Sequence, residues 1–268
     1  MDKAYFENKV CVVTGASTGI GYGLAEKLLS LGATVYLVAR SKDKLKEDKE
    51  KLAAQYGDRV QVKAADVSDN EAVRQMIDDV FGKEGRIDFL FNNAGIGQAG
   101  PTERASIRAW ERVINTNLWG VIHATHAVLP IMLAQRCGHI VNTASIGGLV
   151  PLPYQTIYCT AKYAVVGMSE SLRGEMAPRG IAVSVVCPGA VATEIFSKGG
   201  AKTPAHALTA DAAADIILEG VCRKKGIIVV GEDANGMYAR STQDPEGFEA
   251  FQQREFKKGY DLFVGGRK

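Results

Sequence analysis

Thr14-Gly15-Ala16-Ser17-Thr18-Gly19-Ile20-Gly21 follows the strand-length run Lys9–Val13 and opens into a helical pattern over Gly21–Leu31. How this stretch is read decides the fold. A chain that leaves a buried strand and turns at once into a helix needs backbone angles that glycine adopts at little cost. The same glycines keep side chains out of the way of an approaching anion. The helix N-terminus adds free N–H groups and the positive end of its dipole. Strand, glycine turn and helix in this order predict a dinucleotide pyrophosphate held over Gly15, Ser17, Thr18, Gly19, Ile20 and Gly21. A glycine-rich turn without a ligand is the plainer alternative, and glycines alone do not exclude it.

Outward from this turn, apolar runs of strand length alternate with amphipathic stretches of helix length. The strands are expected at Lys9–Val13, Thr34–Ala39, Val60–Ala64, Ile87–Asn92, His139–Thr143, Ile181–Cys187 and Ile227–Val230. Several are continuously apolar, which suits strands covered on both faces of a parallel sheet. The helices are expected at Gly21–Leu31, Lys42–Gln55, Asn70–Phe81, Trp110–Gln135, Tyr158–Ala177 and Ala210–Arg223, with Pro130 a possible kink late in the fourth. This alternation predicts a single α/β domain: a doubly wound, Rossmann-type parallel sheet of about seven strands with helices on both faces. That unit would occupy residues 1–231. Residues 232–268 form a tail, partly helical, packed on the domain or on a partner subunit; Phe248, Phe251 and Phe256 fall near one helical face.

Composition narrows the function classes. The 268 residues are 46% hydrophobic and 23% charged, with a formal net charge of +2, so no strong field points to nucleic acid or a membrane surface. The Lys42–Lys51 run alternates signs and reads as a solvated helix face. Five cysteines, an odd count without a CxxC pair, fit a reducing compartment better than a disulfide framework. The N-terminal MDKAYFENKV has no apolar signal core, and no uninterrupted apolar run reaches bilayer-spanning length. The expectation is a cytoplasmic protein without a membrane span. His123 and His126 have no metal-ligand partners at suitable spacing, and no metal site is expected.

The glycine spacing is TGxxxGxG rather than GxGxxG. With Asn92-Asn93-Ala94-Gly95 at the end of the fourth strand, and Ser145 followed by Tyr158-x-x-x-Lys162, the chain resembles the compact, single-domain branch of the short-chain dehydrogenase/reductase family. It does not match the TGxxGxxG of the extended branch. The resemblance covers about residues 7–231 and implies a nicotinamide dinucleotide cofactor. It also implies that Asp66 and the Val67 N–H meet the adenine, that Asn93, Ala94 and Gly95 border the cofactor, and that Asn117 supports a water relaying protons to the lysine. Pro188, Gly189, Val191 and Thr193, which match PGxxxT, would hold the nicotinamide carboxamide. Plainer readings stand beside these: a helix-cap role for Asp66 or Ser68, a buried backbone-bonded Asn117, and a simple Pro-Gly turn.

The second strand ends Val38-Ala39-Arg40-Ser41. An acid at the Ala39 position would receive the ribose hydroxyls of NAD; its absence, with Arg40 and Ser41 following, favours the 2′-phosphate of NADP(H). An ordinary surface arginine is the rival, and no basic residue lies inside the glycine turn.

Tyr158 and Lys162 are four residues apart and share a helix face. A phenol near pKa 10 is too weak an acid for easy proton exchange at neutral pH, and a neighbouring ammonium should lower that value. Tyr158 would then act as general acid or base, Ser145 would stabilise charge on the substrate oxygen, and Lys162 would also hold the nicotinamide ribose. YxxxK alone is weak: Tyr5 and Lys9 match it too, without a serine partner. Cys159, beside Tyr158, is either modifiable or inert packing.

The segments Ile146–Thr156, Ile96–Gly100 and Glu194–Leu208 should form the substrate pocket, bringing Leu149, Val150, Leu152, Tyr154, Ile195 and Phe196. That lining fits a hydrophobic secondary alcohol or ketone of the hydroxysteroid or carbonyl reductase type. A 3-oxoacyl thioester reductase shares every catalytic residue and stays open. So does a non-catalytic NADP-binding redox sensor. The strand-end DGG common in the family is absent; Glu232-Asp233-Ala234 stands there. A homodimer or homotetramer is expected, with the helices Trp110–Gln135 and Tyr158–Ala177 as contact faces.

Overall fold

Val10–Thr14 (β1) is buried along its whole length, the burial that a strand of continuous Val and Cys needs. A computed structural model describes residues 2–198 and 202–265. In it β1 is the third strand of a seven-stranded, all-parallel sheet in the order β3-β2-β1-β4-β5-β6-β7. The other strands are Thr34–Ala39 (β2), Val60–Ala64 (β3), Phe89–Asn92 (β4), Gly138–Thr143 (β5), Ile181–Pro188 (β6) and Ile227–Val230 (β7). The inner strands are buried along nearly their whole length. The edges β3 and β7 carry exposed or half-buried positions.

Helices cover both faces. Gly19–Ser30 (α1), Lys42–Tyr56 (α2) and Ala210–Cys222 (α8) border one core cluster, in which Leu24, Leu28, Leu45, Ile217 and Leu218 meet Val13 and Leu37. Asn70–Glu84 (α3), Ile107–Ile114 (α4), Gly120–Gln135 (α5) and Thr156–Met176 (α6) lie along the chain's other crossovers. Val73, Ile77, Ala124, Val128 and Met176 fill a second cluster with Val12 and Ile140. Two short or late helices follow the pattern, Glu194–Lys198 (α7) and Glu232–Gln243 (α9), and then Pro245–Tyr260 (α10).

The helix expected over Trp110–Gln135 is not continuous. Asn115–Trp119 forms a π-helical turn between α4 and α5, and the helix starts earlier, at Ile107. The cause is tertiary. The Asn117 amide is drawn into hydrogen bonds with both backbone groups of Ile96, at 2.8 and 2.9 Å, and Gly120 packs against Val67. Pro130 lies inside α5. By length and composition, Ile107–Gln135 is apolar enough to cross a bilayer, with a mean hydropathy of 1.3. In the fold, its Val121, Ala124, Thr125, Val128 and Met132 are buried.

Candidate active site

The order of the strands reverses between β1 and β4, and their C-terminal ends open the crevice where α/β sheets bind ligands. The two ends are stitched together. Thr14 Oγ1 accepts the N–H groups of Asn93 and Ala94 at 3.0 and 3.1 Å, and the Asn93 amide donates to the Thr14 carbonyl at 3.2 Å. Gly15 and Gly19 have φ of +66° and +55°. A Cβ on Gly15 would come within 2.8 Å of Ala94 Cα, and one on Gly19 within 2.7 Å of the Thr193 methyl. Thr18 precedes α1 without a side-chain cap, and no acid stands in the first turn. The opening N–H groups of α1 are therefore left for an anion. This cradle of Gly15, Ser17, Thr18, Gly19, Ile20 and Gly21 fits a pyrophosphate.

At the end of β2, the Arg40 side chain is 72% exposed and pairs with Asp66 at 4.0 Å. Ser41 caps α2, its hydroxyl accepting the Lys44 N–H at 3.3 Å. Asp66 is not a helix cap: Asp69 caps α3, and Asp66 accepts both the N–H and the hydroxyl of Ser68. Burial works to raise the Asp66 carboxyl, but the two Ser68 hydrogen bonds and Arg40 outweigh it and hold it below its usual range. Val67 packs on Gly120, and its carbonyl lies 3.0 Å from His123 Nδ1.

Ser145 sits just past β5, buried, its hydroxyl accepting the Gly147 N–H at 3.2 Å. The Tyr158 hydroxyl lies near enough to Ser145 for that side chain to favour its ionised form. Lys162, one turn on along α6, is buried, with its Nζ 5.6 Å from the Tyr158 ring centroid and 2.8 Å from the Thr143 carbonyl. Asn117, fully buried, and Lys162 flank the same glycine: a Cβ on Gly95 would meet Asn117 Oδ1 at 3.3 Å and Lys162 Nζ at 3.5 Å. Asn117 of the π turn and Lys162 of α6 thus meet the NNAG segment at Gly95, with the Tyr158 ring beside Lys162.

The electrostatics differ from the sequence-based expectation. Burial pushes the Tyr158 phenol up to about 12, although Ser145 works the other way. Burial likewise pushes the Lys162 ammonium down to about 8. Desolvation, which disfavours both charges, dominates over their mutual attraction at this separation. The phenol is therefore raised, not lowered as the Lys162 spacing predicts. Cys187, fully buried beside this pair, is pushed up to about 12 by burial. Cys159 is raised for the same reason, which leaves it an unreactive thiol rather than a modifiable one. Tyr5, of the second YxxxK, is remote in role: its hydroxyl is 3.1 Å from His139 Nδ1.

Beyond β6, the loop carrying Pro188, Gly189, Val191 and Thr193 is tied down at its backbone. Gly189 N–H donates to the Val230 carbonyl at 2.9 Å, and Ala192 N–H to the Leu208 carbonyl at 2.8 Å. Ser145 Oγ points back to the Pro188 carbonyl at 3.5 Å. Among the described residues, no group of three or more His, Cys, Asp or Glu is placed to hold a metal.

The expected substrate segments meet the tail. Ile146 and Val150 share a cluster with Ala234 of α9 and Phe248 of α10, joined by Leu149, Leu152, Met237 and Phe251. Phe248 and Phe251 stack on one another at 5.9 Å. Phe256 leaves that face; it stacks on Tyr154 at 5.6 Å, and Phe263 lies against the same ring at 5.4 Å. Tyr154 has φ of +62°, unusual for a tyrosine. Its carbonyl accepts the Gly100 N–H at 2.8 Å, and Gln252 of α10 donates to the Pro151 carbonyl at 2.9 Å. Within the expected segment Glu194–Leu208, residues 199–201 lie outside the described residues, as do 266–268 of the tail.

The groups that hold these side chains in place carry little signal in the sequence. Thr14 and Thr143 are visible there only as strand ends, and the Ile96 backbone and Asp233 have no motif to mark them.

A family model for short chain dehydrogenase matches residues 9–203. The 3-oxoacyl-[acyl-carrier-protein] reductase FabG of Haemophilus influenzae is 39% identical over 189 residues, 70% of this chain and 76% of that protein. A short-chain dehydrogenase/reductase from Burkholderia phymatum, solved in complex with NAD, superposes with a TM-score of 0.84 at 30% identity, over 92% of this chain and 96% of its own. A short-chain dehydrogenase from Sphingobium yanoikuyae, in complex with NADPH, does so with a TM-score of 0.80 at 28% identity, over 90% and 95%. The family match over residues 9–203, with relatives at 39% identity and solved structures that superpose over nine-tenths of the chain, shows that this protein belongs to the short-chain dehydrogenase/reductase family of oxidoreductases.

Proposed function

We propose that the chain is an NADP(H)-dependent reductase or dehydrogenase of hydrophobic ketones and secondary alcohols, of the carbonyl or hydroxysteroid reductase type. The observation that carries the chemistry is the meeting of Tyr158 with the buried Ser145 and Lys162, the ammonium standing 5.6 Å from the centre of the phenol ring. Bound NADP(H) would supply the hydride that adds to, or leaves, the carbinol carbon. Tyr158 gives its hydroxyl proton to the substrate oxygen in reduction and takes one back in oxidation. The neutral phenol of the unliganded site is the form that donation needs. Ser145 donates to the same oxygen and stabilises its developing charge. Lys162 holds the ribose next to the nicotinamide and restores the proton of Tyr158. Asn117 keeps Ile96 and Gly95 in place against Lys162. Thr193 and the loop backbone take the carboxamide, and Arg40 and Ser41 the 2′-phosphate, with Asp66 and Val67 at the adenine.

The substrate class is supported by the apolar character of Leu149, Leu152 and Tyr154, which lie in the segment between Ser145 and Tyr158. One observation favours a second reading, a 3-oxoacyl thioester reductase: the identity to the Haemophilus influenzae enzyme. A panel of ketones and acyl thioesters, followed by NADPH and NADH consumption, separates the two. Turnover of thioesters alone would replace the first reading with the second, and turnover of nothing would favour a dinucleotide-binding sensor.

A homodimer or homotetramer is part of the same proposal. Trp119 and Tyr163 are 47% and 41% exposed on the long helices expected to pair. A single-protomer mass in solution would remove it. The free cysteines fit a cytoplasmic location.

A further inference from the structure

Asp233 lies just past β7, in the Glu232-Asp233-Ala234 stretch that stands where the family's strand-end DGG is absent. Its carboxylate reaches into the loop that follows β6. Asp233 Oδ2 accepts the Ala190 N–H at 2.9 Å. A Cβ on Gly189 would stand 2.5 Å from the Asp233 carboxylate oxygens, and one on Gly231 2.5 Å from Asp233 Oδ1. Two glycines on different segments thus leave room for one acid. The Ala190 carbonyl is engaged as well, accepting the Leu208 N–H at 2.9 Å. Both ends of the residue between Gly189 and Val191 are fixed, and Val191 bridges Leu208 in parallel. Two residues further on, the Thr193 methyl closes on Gly19 of the phosphate cradle.

We propose that Asp233 is a positioning residue for the nicotinamide half of the dinucleotide. It acts through the Ala190 backbone and so fixes where Val191 and Thr193 present their polar groups. A carboxylate is suited to this, because a charge-assisted bond to a backbone N–H is stronger than a neutral one. The inference rests on the reading of Pro188–Thr193 as the carboxamide-binding loop.

The experiment compares wild type, Asp233→Asn and Asp233→Ala by titration calorimetry with NADPH and with 2′,5′-ADP, which lacks the nicotinamide half. Asp233→Ala is expected to weaken NADPH about tenfold, the size of one charge-assisted hydrogen bond, and to leave 2′,5′-ADP within about twofold. Asp233→Asn keeps an acceptor for Ala190 and should recover most of the loss. A drop for both ligands alike in both variants would mark Asp233 as a general prop of the fold and overturn the proposal. Unchanged NADPH affinity in Asp233→Ala would overturn it too. Wild-type protein that binds neither ligand would instead refute the cofactor reading, and this inference with it.

Discussion

The Lys162 ammonium, 5.6 Å from the centre of the Tyr158 ring, spends its hydrogen bond on the Thr143 carbonyl at 2.8 Å. Burial works against ionisation of both groups of the proposed catalytic pair, pushing the phenol up to about 12 and the ammonium down to about 8.

Lys162 has a lower pKa folded, about 8, than its ordinary 10.5. Below pH 8 both states hold the proton, and the folded state bears the full cost of a buried charge. Between pH 8 and 10.5 the unfolded chain binds more protons, so this group makes stability rise with pH. Lys162→Met removes the cost and should stabilise the protein by about 3 kcal/mol near pH 7. That advantage should shrink from pH 8 to 10.5. Melting curves of both proteins across this range check it, and a pH-independent difference would contradict it. The same variant should lose turnover.

Tyr158→Phe deletes one hydroxyl from a site that stays packed. Turnover should fall about 10²- to 10⁴-fold, the usual weight of a general acid. NADPH affinity, measured by nicotinamide fluorescence, should hold within about twofold, since the phenol lies against Ser145. A matching loss of binding would mean that the hydroxyl shapes the groove instead.

Among the described residues, the Arg40 guanidinium pairs with Asp66 at 4.0 Å, a contact worth little at this exposure. It is free to meet a 2′-phosphate. Arg40→Ala should raise the KM for NADPH about tenfold or more and leave that for NADH nearly unchanged. Equal changes for both cofactors would reduce Arg40 to a surface side chain.

Two glycines in the tail helices should respond in opposite directions. Gly236 in α9 has open space where an alanine methyl would stand, so Gly236→Ala should stabilise by about 0.5–1 kcal/mol through helix propensity. A Cβ on Gly259 would overlap the Tyr154 ring, so Gly259→Ala should destabilise despite the same propensity gain. It should also shift the KM for bulky ketones while sparing dinucleotide affinity. Denaturant titrations and a ketone series would show both, and a stabilising Gly259→Ala would disconnect α10 from Tyr154.

The sheet is legible in the sequence because its inner strands carry period-free apolar runs that only double-sided burial explains. Val60–Ala64 and Ile227–Val230 are readable to the residue, and Phe89–Asn92 starts two residues later than Ile87–Asn92 suggests. The glycine turn is legible because conformation dictates residue type there. The π turn at Asn115–Trp119 is not, because its cause is a bond to Ile96, far along the chain. Nor is the pKa of Tyr158, since a neighbouring charge shows in the sequence while desolvation shows only in the packed site. Ser41 is readable as a hydroxyl at the right place, but not as the cap of α2. Phe256 follows helical spacing on paper and leaves that face for Tyr154.

The Thr14–Asn93 stitch joins the two halves of the sheet at the floor of the proposed cofactor groove. Occupancy of that groove and survival of the whole fold are consequently linked quantities. Dinucleotide at a hundred times its dissociation constant would add about 2.7 kcal/mol to the unfolding free energy of the entire sheet, not of one loop. The abundance of this enzyme in a cell would then follow the size of the nicotinamide pool, with starvation for cofactor exposing the protein to proteolysis.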